Sequence, residues 1–482
     1  MRNNSKHVDV AIIGAGSAGL SALAEVRKVT KKYIVIDSGP LGTTCARAGC
    51  MPSKALIQAA HEFHRRLHLE KRGIHGGNKL RLDIPEALAR VRKLRDHFAG
   101  GMIRSTKKLG SHLVRGRALL AGPHELQVGK KEYFAERIIL ATGSIPVVPE
   151  EFQALGTRVV TTESLFDLEN LPARIGVVGL GPVGLEIGQA LSRLGCDVSA
   201  FDQARSVGKL TDPAIRAYAS RHFAKEFAIH LNAAVKFEVN SKQVGVLIKG
   251  RRYAQDLILA SLGRRPNLDS IGLAEMGVAL DDSGIPEFDR GTMKLTGLPI
   301  YLAGDVSAER PILHEASDEG RMAGYNSVHS IQRCFKRRVP LAITFTDPNL
   351  AMVGRRYDEM KRGSFVTGEV SFETQGRSLI LGENYGLLHV YADPSDGRFF
   401  GAEMIGPAGE HLAHLMAWAL QQRLTIFEML RMPFYHPVVE EGLRTALRDA
   451  AGKVKPGAEK RELEFCNLNF HEDAGRVRSE RS

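Results

Sequence analysis

Residues 42–58 read Gly-Thr-Thr-Cys45-Ala-Arg-Ala-Gly49-Cys50-Met-Pro-Ser-Lys54-Ala-Leu-Ile-Gln. Two cysteines five positions apart stand just ahead of a Pro-Ser-Lys helix start. In a regular α-helix, residues i and i+5 have Cα atoms roughly 8–9 Å apart, whereas a disulfide spans about 4.4–6.8 Å. If Cys45 and Cys50 pair, the backbone between them must depart from helix, and Gly49 is the residue that permits it. A partly exposed pair at a helix N-terminus is a redox device, because the helix dipole lowers a thiol pKa and stabilises the thiolate. Two other readings share the spacing: a pair of free cysteines, or half of a metal site. A metal site would call for more Cys and His at short spacing, and His61 and His64 are the nearby candidates.

The elements that would position such a pair are legible as one unit used twice. Val8–Ile13 is an apolar strand, followed by Gly14-Ala-Gly16-Ser-Ala-Gly19, a helical pattern to Lys28, and a strand from Tyr33 that ends on Asp37. This is the order of a dinucleotide-binding unit. The first glycine makes the turn, the second lets a pyrophosphate approach the backbone, and the third allows helix and strand to pack closely. The acid meets a ribose. The unit returns as the strand Ile175–Val178, the turn Gly179-Leu-Gly181-Pro-Val-Gly184, a helix to Leu194, and a strand from Asp197 that closes on Asp202. The interval from first glycine to acid is 23 residues in both copies. Two copies imply two nucleotides. Asp202 suits a free ribose 2′-hydroxyl and therefore NAD, while Arg205 three positions on is the basic residue that NADP would use.

Between the copies, Arg137–Ser144 reads as a buried strand running into a Thr142-Gly143-Ser144 turn, with Pro146 and Pro149 marking a domain crossing. Residues 254–267 repeat that theme around Gly263, and Leu298–Asp305 is a strand entering a Gly-Asp turn whose acid could meet a ribityl or ribose hydroxyl. Beyond Val339 the alternation becomes that of antiparallel sheet. Helices follow at about 409–422 and 425–431, then the segment Met432–Glu441 and a last helix to about 450. A charged tail from Lys453 is expected to be mobile.

At 482 residues, with 43% hydrophobic and 25% charged residues, the chain has the composition of an ordinary soluble protein of several domains. No apolar run is long enough to span a membrane, and the first apolar run is too short for a signal peptide, so a cytoplasmic location is expected. The five cysteines are too sparse for a secreted disulfide framework. Net charge is +12. Lys and Arg outnumber Asp and Glu about three to one over residues 61–117. A nucleic-acid arm and a solvated helix face both fit that excess, and the lack of interleaved aromatics favours the second.

The chain resembles the pyridine nucleotide–disulfide oxidoreductases, and within them the dihydrolipoyl dehydrogenases, over about residues 8–452. The resemblance rests on Gly-Thr-Thr-Cys45-(four residues)-Cys50-Met-Pro-Ser-Lys54, both glycine turns, Ala141-Thr-Gly143, Ala303-Gly-Asp305 and His436-Pro437. It implies an α/β fold with two Rossmann-like domains and a C-terminal α+β dimerisation domain. Residues 1–148 and 271–338 would be the two parts of the FAD-binding domain. Residues 149–270 would bind NAD, 339–452 would form the interface, and 453–482 the tail. The catalytic set it implies is Cys45 as interchange thiol, Cys50 as flavin-proximal thiol, His436 as base and Glu441 as its orienting acid. FAD would be held by Gly14, Gly16, Gly19, Asp37, Thr44, Lys54, Gly116, Thr142, Gly143, Ser144, Asp305 and Leu313. NAD would be held by Gly179, Gly181, Gly184, Glu186, Asp202, Val235 and Gly263, with Glu186 also the partner of Lys54. The implied partners are a second copy, sharing active sites, and the lipoyl domain of a 2-oxoacid dehydrogenase or related complex, with no metal, membrane or nucleic acid.

The implied activity is oxidation of protein-bound dihydrolipoamide with NAD⁺; the alternative is another NAD(P)H-dependent FAD disulfide reductase, glutathione- or mercuric-reductase-like. Glutathione-type enzymes carry basic residues where Asp202 stands, and mercuric and large thioredoxin reductases carry a C-terminal cysteine pair where this chain has Cys466 alone. Soluble transhydrogenases lack one redox cysteine. A non-enzymatic scaffold would have no use for Cys45, Cys50, His436 and Glu441 together. Three departures stand out: Val438 replaces the family's usual Thr after His-Pro, Phe434-Tyr435 replaces a small His-containing run, and Asp37 replaces Glu.

Overall fold

A computed structural model describes residues 6–240, 243–455, 461–463 and 465. The chain forms two compact units, one made of residues up to 209 together with 220–338, the other of 210–219 and the chain from 339 onward.

The first unit contains two parallel sheets of the same design. In one, the strands Leu113–Arg115, Tyr33–Asp37, Lys6–Ile13, Lys131–Leu140 and Ile300–Leu302 lie side by side, all parallel. Val10, Ala11, Ile12 and Ile34–Ile36 are fully buried, as strands covered on both faces must be. The N-terminal part of Lys131–Leu140 also pairs antiparallel with Glu125–Val128, which pairs with Ala118–Leu120. In the other sheet the order is Ala228–His230, Asp197–Phe201, Arg174–Val178, Leu257–Ala260 and Val159–Val160. Each central strand feeds a glycine turn and a crossover helix, Ser17–Val26 in the first and Pro182–Arg193 in the second. Parallel neighbours require such a crossover.

The helix Ser17–Val26 is clamped from its far side by Leu313–Val328. Gly320 and Gly324 permit this contact, since a Cβ on either would lie 2.2 Å from the Ala18 carbonyl oxygen or 2.4 Å from that of Ala22. Glu319, on the same clamping helix, accepts the Gly304 N–H at 2.9 Å and the Ser307 hydroxyl, and is ion-paired with Arg337. This fixes the turn that presents Asp305.

In the second unit, the strands Leu341–Thr344, Asn349–Gly354, Phe399–Gly406, Leu387–Ala392 and Val366–Ser371 form an antiparallel sheet in that order. The helices Gly409–Gln421, Ile426–Leu430 and Glu441–Lys453 cover it around Phe372, Phe399, Met404, Leu412 and Leu447. A Cβ on Gly368 would meet the Ala446 carbonyl at 2.1 Å, so strand and closing helix touch backbone to backbone. Residues 210–219 join this unit through a buried polar cluster. Asp212 accepts from His389 Nδ1 (2.8 Å) and the Tyr391 hydroxyl (2.9 Å) while capping the first turn of Pro213–Phe223. Glu403, with no exposed surface, accepts the Thr211, Asp212 and Tyr357 N–H groups and the Thr211 hydroxyl.

Two expectations change. The cysteine helix begins at Cys50 itself and runs to Arg65, two residues before the proline that marks a helix start in the sequence. The tail expected to be mobile is anchored at several described residues: Lys453 ends the closing helix, the Lys455 N–H donates to the Pro394 carbonyl, the Arg461 carbonyl accepts from Arg431, and Glu462 is ion-paired with Arg444 and Arg448. Its remainder, with Cys466, lies mostly outside the described residues. Within the basic stretch, Arg92 donates to the Leu168 carbonyl and Arg95 pairs with Asp96 and Asp167. Part of that charge therefore serves the fold.

Candidate active site

Cys45 sits in a one-turn helix, Thr44–Arg47, started by Thr43, whose buried hydroxyl accepts the Ala46 N–H. Thr44 is exposed. The chain breaks at Ala48 (φ −134°, ψ 2°) and Gly49 (φ −120°, ψ −120°), then enters Cys50–Arg65. The break folds Gly49 against the preceding turn: a Cβ there would lie 3.1 Å from the Cys45 Cα. Helix–break–helix thus sets half-buried Cys45 and exposed Cys50 side by side, where a Cys45 thiol can hydrogen-bond a Cys50 thiolate. Both are free thiols in this structure. The Cys50 thiol is pushed down to about 6, chiefly by that hydrogen bond; burial opposes the shift and the Lys54 ammonium assists it. Cys45 moves up, because its proton is held by Cys50 and its surroundings are partly dry. Lys54, one turn along, forms a 2.8 Å ion pair with Glu186, whose side chain is only 4% exposed. Glu186 comes from the second crossover helix, so helix packing brings Lys54 and Glu186 together from positions 132 residues apart.

The two glycine turns match in detail. A Cβ on Gly14 would lie 2.1 Å from the Ala141 carbonyl oxygen and one on Gly179 would lie 2.3 Å from that of Ser261; both glycines have positive φ. A Cβ on Gly19 or Gly184 would meet the carbonyl of the first glycine of its own turn at 1.9 or 1.8 Å. The acids act alike too. Asp37 accepts the Ala15 N–H (2.9 Å) and Asp202 the Leu180 N–H (2.5 Å), each the residue just after the first glycine. Asp37 also takes Arg115 at 3.0 Å, and Asp202 takes the Ala204 N–H at 2.7 Å. A carboxylate has about four lone-pair sites, so each acid braces its turn and keeps capacity for a ribose.

The FAD residues implied by the sequence gather around the first turn. Gly16 has nothing within 4 Å of where a Cβ would stand, which leaves its backbone open to a phosphate. The Thr142 hydroxyl is buried without a partner beside Gly143 (φ 71°). Ser144 donates to Asp305 at 2.8 Å. Gly116 (φ 148°) donates its N–H to the Asp37 carbonyl. Leu313 opens the clamping helix and is exposed. A bare turn, an orphaned buried hydroxyl and a braced acid suit a dinucleotide, so the residues present fit FAD. Around the second turn, Val235 is half-buried beside the strand Lys236–Val239, and Gly263 (φ 97°) accepts the Val147 N–H.

The sequence reading missed Arg264. Its guanidinium bonds the Ser144 hydroxyl and carbonyl and pairs with Glu163, while Arg264–Pro266 pairs antiparallel with Ser144–Pro146. A signal existed: Gly143-Ser-Ile-Pro146 and Gly263-Arg-Arg-Pro266 repeat a Gly-x-x-Pro pattern. Also in this unit, a cavity of about 470 Å³ is walled by Leu20, Ala46, Met51, Phe98, Met102 and Arg321 among others, next in sequence to both cysteines.

In the second unit, His436 Nδ1 lies 3.0 Å from both carboxylate oxygens of Glu441, and the imidazole is 80% exposed. Glu441 is the first residue of the closing helix and also accepts the Val438 N–H at 3.3 Å, while Gln375 holds the Val438 carbonyl. The His436 hydrogen bond is the main cause that holds the Glu441 carboxyl below its usual range. A carboxylate on Nδ1 leaves Nε2 as the acceptor nitrogen of a neutral ring, the arrangement of an oriented general base. Among the described residues, no group of three or more His, Cys, Asp or Glu could hold a metal, and no helix is long and apolar enough to cross a membrane.

Comparison with known proteins matches residues 8–320 to the pyridine nucleotide-disulphide oxidoreductase family and residues 340–447 to that family's dimerisation domain. A dihydrolipoyl dehydrogenase of Thermus scotoductus is 29% identical over 451 residues, 92% of this chain and 97% of that one. One of Bacillus subtilis is 27% identical, covering 92% and 96%. Among solved structures, the Cu(II) complex of the HOCl-induced flavoprotein disulfide reductase RclA from Escherichia coli superposes with a TM-score of 0.81 at 22% identity. That match covers 93% of this chain and 100% of RclA.

Proposed function

The chain belongs to the pyridine nucleotide-disulphide oxidoreductases, and from that membership we propose that it acts as a dihydrolipoyl dehydrogenase, oxidising protein-bound dihydrolipoamide with NAD⁺. In this reading residues 1–148 and 271–338 bind FAD, 149–270 bind NAD, and 339–452 pair with a second copy. Bound FAD supplies the two-electron carrier between the cysteine pair and NAD⁺.

The observation that carries the reading is the asymmetry of the cysteine pair. In thiol–disulfide exchange the thiol of lower pKa leaves faster. With Cys50 depressed to about 6 and Cys45 raised, a substrate thiolate attacks the Cys45 sulfur of the oxidised pair and Cys50 departs as thiolate. A mixed disulfide between substrate and Cys45 results. The second substrate thiol then displaces Cys45, giving the cyclic disulfide of lipoamide and a reduced cysteine pair. His436 takes the proton that the first attacking thiol must lose, Glu441 stabilises the imidazolium so formed, and the proton of the second thiol goes to the departing Cys45 sulfur.

In the proposed homodimer, His436 of one copy serves the cysteine pair of the other. The second unit carries large exposed apolar side chains suited to such an interface, among them Leu379, Ile380, Leu415, Trp418, Met432 and Tyr435. The curated relatives bearing this activity's name match nearly the whole chain.

A second reading, reduction of another disulfide with NAD(P)H, draws on Val438: its backbone braces Glu441, but its side chain offers no hydroxyl at that position. A turnover matrix separates the two, with NAD(H) or NADP(H) crossed against dihydrolipoamide, glutathione disulfide and small disulfides. NAD⁺ with dihydrolipoamide is expected to win clearly; preference for NADPH with glutathione disulfide would sink the proposal.

A further inference from the structure

The two glycine turns differ at their middle glycine. Both middle residues have extended backbone, φ −81° at Gly16 and φ −60° at Gly181. Around Gly16 nothing lies within 4 Å of the Cβ position, whereas at Gly181 the Lys209 Cε lies 4.0 Å from it. The difference comes from the chain after each acid-ended strand. After Asp37 it leads toward the cysteine segment. After Asp202 it doubles back: Ala204 bonds Asp202, Val207 is fully buried, and the Gly208 N–H donates to the Leu180 carbonyl inside the glycine turn at 2.8 Å. Lys209 is thereby carried over the turn.

Its backbone carries a cost. Gly208 (φ 63°) and Lys209 (φ 62°) are consecutive left-handed residues. Glycine adopts that conformation freely, while an L-residue is strained in it. Strain of this kind at a binding loop is a pointer to function. Here it holds an exposed ammonium-bearing chain against the bare backbone where a pyrophosphate approaches, at the start of the helix Pro182–Arg193.

We propose that Lys209 is a phosphate clamp of the second turn, its ammonium pairing with the pyrophosphate of the pyridine nucleotide. This rests on the reading of that turn as the pyridine-nucleotide site. The contact distinguishes the two nucleotides physically. The first turn offers the flavin nucleotide no lysine over its middle glycine. The second adds a screened, exposed charge contact that strengthens capture and weakens with salt.

The phosphate concerned could belong to the pyrophosphate or to the 2′-phosphate of NADP, and the test separates them. The FAD-loaded full-length protein and its Lys209→Met and Lys209→Arg variants are titrated calorimetrically with NADH, ADP-ribose and NADPH at low and physiological salt. Lys209→Met is expected to weaken NADH and ADP-ribose alike, by about tenfold at low salt, with Lys209→Arg within about threefold of the parent. Unchanged NADH and ADP-ribose affinity in Lys209→Met would overturn the clamp while leaving the proposed function standing. A loss confined to NADPH would also overturn it, assigning the ammonium to the 2′-phosphate. Absence of binding by the parent protein to NADH and NADPH would overturn both.

Discussion

Gly16 and Gly19 stand three residues apart in one turn, yet their replacement by alanine should have opposite consequences. At Gly19 the new Cβ would lie 1.9 Å from the Gly14 carbonyl oxygen, a backbone atom that cannot swing aside. Relief requires helix and turn to separate by more than 1 Å, roughly. Overpacking of this kind costs about 3 kcal/mol, against a gain of about 1 kcal/mol from replacing glycine by alanine in a helix. A net loss of about 2 kcal/mol is therefore expected. At Gly16 nothing lies within 4 Å and the backbone (φ −81°, ψ −169°) suits any residue, so Gly16→Ala should change stability by less than about 0.5 kcal/mol. The methyl group would instead stand where a pyrophosphate must approach, and flavin retention should fall at least about tenfold. Urea melts of the flavin-stripped variants read the first quantity, and flavin absorbance per protein after dialysis reads the second. Full flavin retention by Gly16→Ala, or an unchanged urea midpoint in Gly19→Ala, would refute the assignment of these roles.

Alkylation of the reduced protein at Cys50 should follow a titration near pH 6, rising as pH increases through that value; Cys45→Ala and Lys54→Met should each move it upward, and peptide mass spectrometry locates the modified residue. His436→Gln should lower turnover with dihydrolipoamide by roughly 10²–10⁴-fold, with Glu441→Gln intermediate, while flavin content stays constant. In the second unit, burial alone would raise Asp212, yet hydrogen bonds from His389, Ile215 and Tyr391 leave it below the usual carboxylate range. A depressed folded pKa contributes stability that is present above the unfolded value and lost as pH falls through the folded one. Acid melts below about pH 4 should therefore show a loss that Asp212→Asn abolishes, and that variant should be about 3 kcal/mol less stable at neutral pH.

Local geometry made the glycine turns legible from sequence: glycine is the only residue that fits at 2 Å from a carbonyl or at φ near 100°, so the motif and the 23-residue interval to the acid carry their own structure. The double duty of Asp37 and Asp202, bracing the turn through the N–H next to the first glycine, was not legible, because a backbone donor leaves no residue signature. The start of the cysteine helix was misplaced because Pro52 is a strong marker of a first turn, whereas the true start depends on the Gly49 break. Arg264 and the Asp212–His389–Tyr391–Glu403 cluster were missed for one shared reason. Their partners lie 46–192 residues away in sequence, and a polar residue whose partner is that remote shows no local periodicity. His436 and Glu441, five residues apart, form their dyad through a local turn and helix start, and were found.

Turnover of the proposed kind requires Cys45 and Cys50 to exchange an electron pair with a pyridine nucleotide. The direct test is to treat the air-oxidised, FAD-loaded protein anaerobically with one equivalent of NADH, alkylate it, and map modified cysteines against an untreated control. Cys45 and Cys50 should be blocked before NADH and both alkylated after it, in the wild-type protein and in His436→Gln alike. Two cysteines already reactive before NADH, or still unreactive after it while the flavin is reduced, would contradict the account.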